Sequence, residues 1–309
     1  MATLAVSERA LCLMLISISD EVEKSIDYVG SIMSAGYQKE NKYEGQPPMR
    51  WMRFTVAGET SYGLVEGDQV EGVSGTPFGD YRRTGKRCAL DDVKFEIPLE
   101  PKTFYAVGFN YPEHVIKISK QQGIEPNLPT QPDVGYRANN ALIPHGEAIV
   151  IPKDATEQVQ YEGEIAVVIG KTAKYLSEDE ALSCVLGYTI GNDVSERSWQ
   201  KSDRTLWRAK NTDTFAPMGP WIETDVPDLD ALETTVRVNG EVHSQFRTNA
   251  MLFGIERYIS TISQYITLHP GDMIWMGTDG TSPNLKAGDS VEIEISGIGV
   301  LRNPVVDET

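Results

Sequence analysis

Short β-forming runs crowd the chain from Ile149 onward, and they limit its fold more than any other feature. They read "AIVIP" (148–152), "EIAVVIG" (164–170), "VLGYTIGND" (185–193), "TTVRVNGEV" (234–242), "DMIWMGT" (272–278) and "SVEIEISGIGVLRNPV" (290–305). Each is rich in Val, Ile or aromatic residues, apolar or alternating, and closed by Gly, Pro, Asn or Asp, which marks strands joined by turns. Helical spacing is rarer. "SEDEALSCV" (177–185) opens with Ser177 and carries Glu180 three residues on, a capping-box pattern. "MLFGIERYISTISQY" (251–265) places apolar residues at helical intervals. The expected class is therefore mostly β with some α, an α+β fold with a few helices outside the sheets.

The N-terminal half divides into three stretches. Residues 1–48 are expected to be an extension that carries no chemistry. "LCLMLISI" (11–18) resembles a signal-peptide core, but Glu8 precedes it, only Arg9 is basic there, and no small-x-small cleavage site follows. From Met49 to residue 99, "MRFTVAG", "SYGLVEG" and "QVEGVSG" alternate apolar and polar residues between glycines, which predicts a small β-domain. Residues 100–309 form the expected main domain, entered through "EPKTFYAVGFNY" (100–111). After it, residues 117–140 are polar and punctuated by Pro and Gly, and 112–140 is expected to be a long loop acting as a lid.

The formal net charge of −17 repels phosphate backbones, which argues against nucleic-acid binding. No apolar run approaches the roughly 20 residues of a membrane span. Three dispersed cysteines, Cys12, Cys88 and Cys184, form neither a disulfide framework nor a zinc pattern and point to a reducing compartment, expected to be the cytoplasm.

The chemistry begins at "QYEGEIAVVIGK" (160–171). Glu162 and Glu164 lie two apart at the mouth of an apolar strand and so project to one side of it. Their repulsion pushes one carboxyl toward protonation unless a cation sits between them. A strand end facing solvent would explain the pair equally well. Some 30 residues on, however, another strand ends in Gly191-Asn192-Asp193, and a carboxylate there can meet the first two if the strands are neighbours. Three carboxylates with no cysteine or nearby histidine make a hard oxygen site suited to Mg²⁺ or Mn²⁺, with Ca²⁺ also compatible.

"VGFNYPEH", "YEGEIAVVIGK", "GYTIGNDVSERSWQ", "AKNTDTFAPMGPW" and "LKAGDSVEIEISGIGVLRNPV" together resemble the fumarylacetoacetate hydrolase family, in order and spacing, from about Met49 to Val306. The resemblance implies a mixed β-roll-like core behind a small β-domain, a homodimer, a divalent metal, and a small 2-oxo or β-diketo acid as substrate. It implies Glu162, Glu164 and Asp193 as metal ligands, His114 as general base and Lys210 as an active-site cation. Gln200 and Thr278 match substrate-contacting positions, Tyr111 stands in the histidine motif on the substrate side, and Arg137 falls near the junction of lid and core.

Two positions depart from the family's pattern. Lys117 stands where many family hydrolases carry a glutamate that pairs with the histidine to activate water. Gly277-Thr278-Asp279-Gly280-Thr281 replaces the usual Gly-Thr-Pro loop. The resemblance implies first a hydrolase that cleaves a C–C bond in an acylpyruvate-like acid through a metal-stabilised enolate. The alternatives are an oxaloacetate-type decarboxylase, a 2-hydroxyhepta-2,4-diene-1,7-dioate-type isomerase or hydratase on the same site, and a catalytically silent metal-binding homologue.

Overall fold

A computed structural model describes residues 48–280 and 283–309. The expectation for residues 1–48 lies outside the described residues, apart from Pro48 itself. The architecture is two large β-sheets and a two-stranded ribbon of Val159–Gln160 and Ser195–Glu196, with short helices outside them, the fold class expected from the strand-like runs. The larger sheet has 12 strands. Ten of them run in the order Tyr81–Ala89, Gln69–Gly75, Glu59–Glu66, Arg50–Val56, Ala216–Glu223, Val185–Asn192, Gly163–Ile169, Met273–Trp275, Phe104–Val107 and Val134–Tyr136, while Lys94–Phe95 pairs with Arg50–Val56 and Leu142–Ile143 with Ala216–Glu223. Neighbours along this path are antiparallel except Met273–Trp275 and Phe104–Val107, which are parallel. The second sheet has five strands, in the order Glu241–Arg247, Glu233–Val238, Ser290–Ile295, Gly299–Asp307 and Ile149–Ile151.

The N-terminal meander continues the larger sheet. Arg50 pairs with Glu223 and Trp51 with Ile222, while Met52, Phe54, Val65, Val70 and Val93 form a small apolar cluster of their own.

The main core lies between the sheets. Gly163–Ile169 is buried along its whole length, which explains why it reads as a continuous apolar run rather than an alternation. A Cβ on Gly163 would stand 2.9 Å from Val236 and 3.1 Å from Ile293, both on the second sheet, so only glycine lets the two sheets close at this level. Gly163 is also the residue between the two glutamates.

Both helices expected from the sequence form, in shortened versions. Glu178–Ala181 is a single α-turn followed by a 3₁₀ turn over Leu182–Cys184, and the Ser177–Glu180 capping box closes its start. Ile255–Tyr265 is helical, whereas residues 251–254 are not.

The expectation of a loop over 112–140 is corrected at its start. Pro112–Gln122 is an α-helix of 11 residues. Proline occupies its first turn, where a missing N–H costs nothing. Gly123 ends it in the left-handed region at φ 69°, donating to Lys120 O at 3.2 Å, while Ile124 donates to Ser119 O at 3.0 Å. Among the described residues, no helix is long and apolar enough to cross a membrane.

Candidate metal centre and surrounding site

Sheet register assembles the three carboxylates. Gly163–Ile169 pairs antiparallel with Val185–Asn192 so that Gly163 faces Asn192 and Glu164 faces Gly191. Asp193, one residue beyond that strand, donates its N–H to Glu162 O at 2.9 Å, and Asn192 Oδ1 accepts from Glu162 N at 3.0 Å. One ligand atom from each of Glu162, Glu164 and Asp193 falls within 4.8 Å of the others, and all three residues are buried.

Cationic side chains surround the cluster. Lys210 Nζ donates to Glu162 Oε2 at 2.6 Å and to Asp193 Oδ2 at 2.7 Å. Arg197 donates to Glu162 Oε1 at 2.6 Å, and Arg137 to Asp193 through Nε at 3.3 Å and NH2 at 2.9 Å. Glu164 is bonded differently. Its Oε2 accepts the Gly277 N–H at 2.7 Å, and no ion pair to it is found among the described residues.

The two glutamates therefore titrate in opposite directions. Burial penalises the charge of Glu162, but Lys210, Arg197 and His114 outweigh it and hold the carboxyl below the usual range. Burial, then the charges of Asp193 and Glu162, push the Glu164 carboxyl well up. A buried all-oxygen donor set in which crowded negative charge disfavours the ionised form of one carboxyl fits a hard divalent cation.

His114, in the first turn of Pro112–Gln122, is buried, and its Nδ1 has no hydrogen-bond partner among the described residues. Burial holds its imidazole below the ordinary histidine range, Glu162 opposing and Arg197 and Lys210 adding to the effect. The ring is thus neutral near pH 7 and able to accept a proton. Phe109, in the left-handed region at φ 51°, tilts its ring against His114 with centroids 6.0 Å apart.

The other sequence-selected residues fall around this group. Tyr111 is buried, edge-on to Phe246 at 5.1 Å, and its phenol is raised by burial and then by the charges of Glu164 and Asp279. Thr278 is buried directly after Gly277. Gln200 Oε1 accepts from Arg197 at 3.0 Å and so reaches the cluster through that arginine. Arg137 is a direct partner of Asp193.

Several residues that position the site have weak sequence signals. Arg197 lies inside the "NDVSERSWQ" motif but reads as a surface charge until its three acceptors, Gln160, Glu162 and Gln200, are seen. Asp203 Oδ2 accepts from Arg208 N at 3.1 Å and Ala209 N at 2.7 Å, fixing the turn that presents Lys210. Asn110, buried, bonds Met276 O and both backbone groups of Phe253, which ties the histidine segment to the Gly277 loop.

A two-sheet core of this kind, with three carboxylates at the ends of adjacent strands, matches known proteins. The family described as Fumarylacetoacetate (FAA) hydrolase C-terminal matches residues 103–306, and the one described as Rv2993c-like, N-terminal, matches residues 49–98. The chain belongs to the fumarylacetoacetate hydrolase family and is an enzyme.

Its relatives carry several activities. A 2,4-didehydro-3-deoxy-L-rhamnonate hydrolase of Sphingomonas sp. (strain SKA58) is 41% identical over 281 residues, covering 83% of this chain and 96% of that protein. The mitochondrial oxaloacetate tautomerase FAHD2A of Bos taurus is 37% identical over 278 residues, covering 86% and 82%. The crystal structure of a 5-carboxymethyl-2-hydroxymuconate delta-isomerase from Mycobacterium smegmatis superposes with a TM-score of 0.76 at 38% identity, over 84% of this chain and all of that one.

Proposed function

We propose that the protein is a divalent-metal-dependent hydrolase that cleaves a C–C bond in an acylpyruvate-like acid. The observation that carries this reading is the convergence of three buried carboxylates, the Lys210 ammonium and a neutral, unpartnered His114 nitrogen in one site. A Mg²⁺ or Mn²⁺ ion held by Glu162, Glu164 and Asp193 would supply chelation of a substrate's 1-carboxylate and 2-oxo oxygens and draw electrons from the adjacent carbon. His114 takes a proton from water as the oxygen adds to the distal carbonyl. The C–C bond then breaks with its electron pair left on the pyruvate half, and His114 returns the proton to that carbon. Lys210 stabilises negative charge on oxygen during both steps. Tyr111, Thr278 and Gln200 contact the substrate, and Arg137 and Arg197 hold Asp193 and Glu162 in place. The protein acts as a homodimer in a reducing compartment.

The hydrolase from Sphingomonas, aligned over nearly its whole length, supports this reading. A second reading, tautomerisation or isomerisation of a 2-oxo acid, is favoured by the position one helical turn beyond His114. There an exposed lysine, Lys117, stands in place of a carboxylate that could orient the ring. Assay with acetylpyruvate and with oxaloacetate in Mg²⁺ or Mn²⁺ separates the two. Stoichiometric pyruvate from acetylpyruvate is expected. Enol–keto interconversion without pyruvate release moves the assignment to the second reading, and no turnover of either acid with metal bound would favour a silent homologue.

A further inference from the structure

The loop Gly277–Gly280 is fastened to the site at its start and runs past His114. Gly277 donates to Glu164 at 2.7 Å, and the His114 ring lies near the Gly280 backbone at the far end of the loop. At about 3.5 Å of chain per residue, the two residues that follow Gly277 stay within roughly 7 Å of its bond to Glu164. Asp279 lies in that interval, where the family's usual loop has proline. Its carboxyl is half-buried, and none of the described residues donates a hydrogen bond to it. Close packing fixes the loop. A Cβ at Gly277 would approach Asn110 to 3.3 Å, and one at Gly280 would approach Ser244 Oγ to 3.3 Å.

The charges facing Asp279 are Lys117 and Glu113 on the helix Pro112–Gln122. Those two are four residues apart on one helix face, glutamate first, the favourable order for mutual pairing. The group of three sums to one negative charge, with Lys117 shared between two carboxylates. A second carboxylate on a substrate therefore meets net repulsion there, while a hydroxyl finds an acceptor that lacks a donor.

We infer that Asp279 is a specificity-determining residue that accepts a hydrogen bond from a hydroxyl on the distal carbons of the substrate and selects hydroxylated 2-oxo acids over dicarboxylic ones. This assignment rests on the 2-oxo-acid reading of the site.

Equilibrium binding of unreactive six-carbon acids tests it. Calorimetry with Mg²⁺ present compares 2-oxohexanoate, its 5-hydroxy and 6-hydroxy derivatives, and 2-oxoadipate on the wild type, Asp279→Ala and Asp279→Asn. The wild type binds one hydroxy acid about tenfold more tightly than 2-oxohexanoate, the scale of one hydrogen bond to a charged acceptor. It binds 2-oxoadipate most weakly. Asp279→Ala levels the hydroxy acids with 2-oxohexanoate. Asp279→Asn keeps an acceptor oxygen without the charge, so it retains part of the hydroxyl preference and admits 2-oxoadipate. Binding of all the acids with no hydroxyl preference in the wild type, or with the wild-type ranking intact in Asp279→Ala, overturns the role of Asp279 alone. If none of the acids binds, the 2-oxo-acid reading falls and this assignment falls with it.

Discussion

Replacing Lys210 with methionine keeps most of the side-chain volume and removes the ammonium that bonds both Glu162 and Asp193. Stranding a buried charge in this way costs about 3–5 kcal/mol. The remaining partners set the lower end, because Glu162 keeps Arg197 at 2.6 Å and Asp193 keeps Arg137 at 2.9 Å. The variant can also escape by protonating Glu162. From an unfolded-state value of about 4.3, that costs ~4 kcal/mol at pH 7.5 and ~1 kcal/mol at pH 5.

In the wild type the folded-state pKa of Glu162 is depressed, so its contribution is fully present above about pH 4.3 and is lost only as the pH falls further. Wild-type stability therefore holds between pH 7.5 and 5 as far as this group is concerned, while the variant recovers as its carboxyl takes up a proton. The deficit in metal-free urea denaturation is expected to be about 3 kcal/mol at pH 7.5 and ~1 kcal/mol at pH 5. Saturating Mg²⁺ narrows it at pH 7.5, because the variant site carries one more unbalanced negative charge and gains more from the cation. A deficit under 1 kcal/mol at pH 7.5, or one independent of pH, would refute the view that Lys210 balances these carboxylates.

Three other perturbations probe the frame of the site. Gly191→Ala places a methyl 2.7–2.8 Å from three ring atoms of the buried Trp275, so about 2 kcal/mol of stability and a share of metal affinity should be lost; an unchanged urea midpoint would exclude the clash. Metal binding should release protons, because burial and then the charges of Asp193 and Glu162 push the Glu164 carboxyl well up while a bound cation would favour its ionised form, and affinity should rise with pH through that titration; calorimetry in two buffers of different ionisation enthalpy, giving identical heats, would contradict this. Asp203→Ala leaves the Arg208 and Ala209 amides without their acceptor, costing about 1–3 kcal/mol and speeding hydrogen exchange at those two amides; unchanged exchange there would show that the turn presenting Lys210 is held by something else.

The strands at 164–170, 185–193 and 290–305 were legible because β-structure writes itself into neighbouring residues. Apolar runs, alternation and the Gly, Asn and Asp that end them are local consequences of pleat and turn geometry. The glutamate pair was legible for the same reason, since a spacing of two fixes a shared side of a strand. The helix Pro112–Gln122 was not read, although Pro112 and Gly123 mark its ends. Its apolar residues are few, Val115, Ile116 and Ile118, and the polar residues that follow it resemble a loop.

Motif resemblance supplied His114 and Lys210, and a strand end supplied the third carboxylate, but neither showed how the carboxylates are balanced. Arg197 is an ordinary surface cation in one dimension, and Arg137 was placed near the site without its partner. They reach Glu162 and Asp193 across separations of 35 and 56 residues only when the chain has closed. The Gly277 N–H on Glu164 spans 113 positions and has no side chain to announce it. By itself, the sequence determined which segments are strands and which carboxylates stand at their ends, because both depend on residues within a few positions of one another. Only the tertiary structure decided which glutamate is the stronger acid and which the weaker. That depends on burial and on charges carried in by distant loops, and the register that brings Glu164 opposite Gly191 sets their distances.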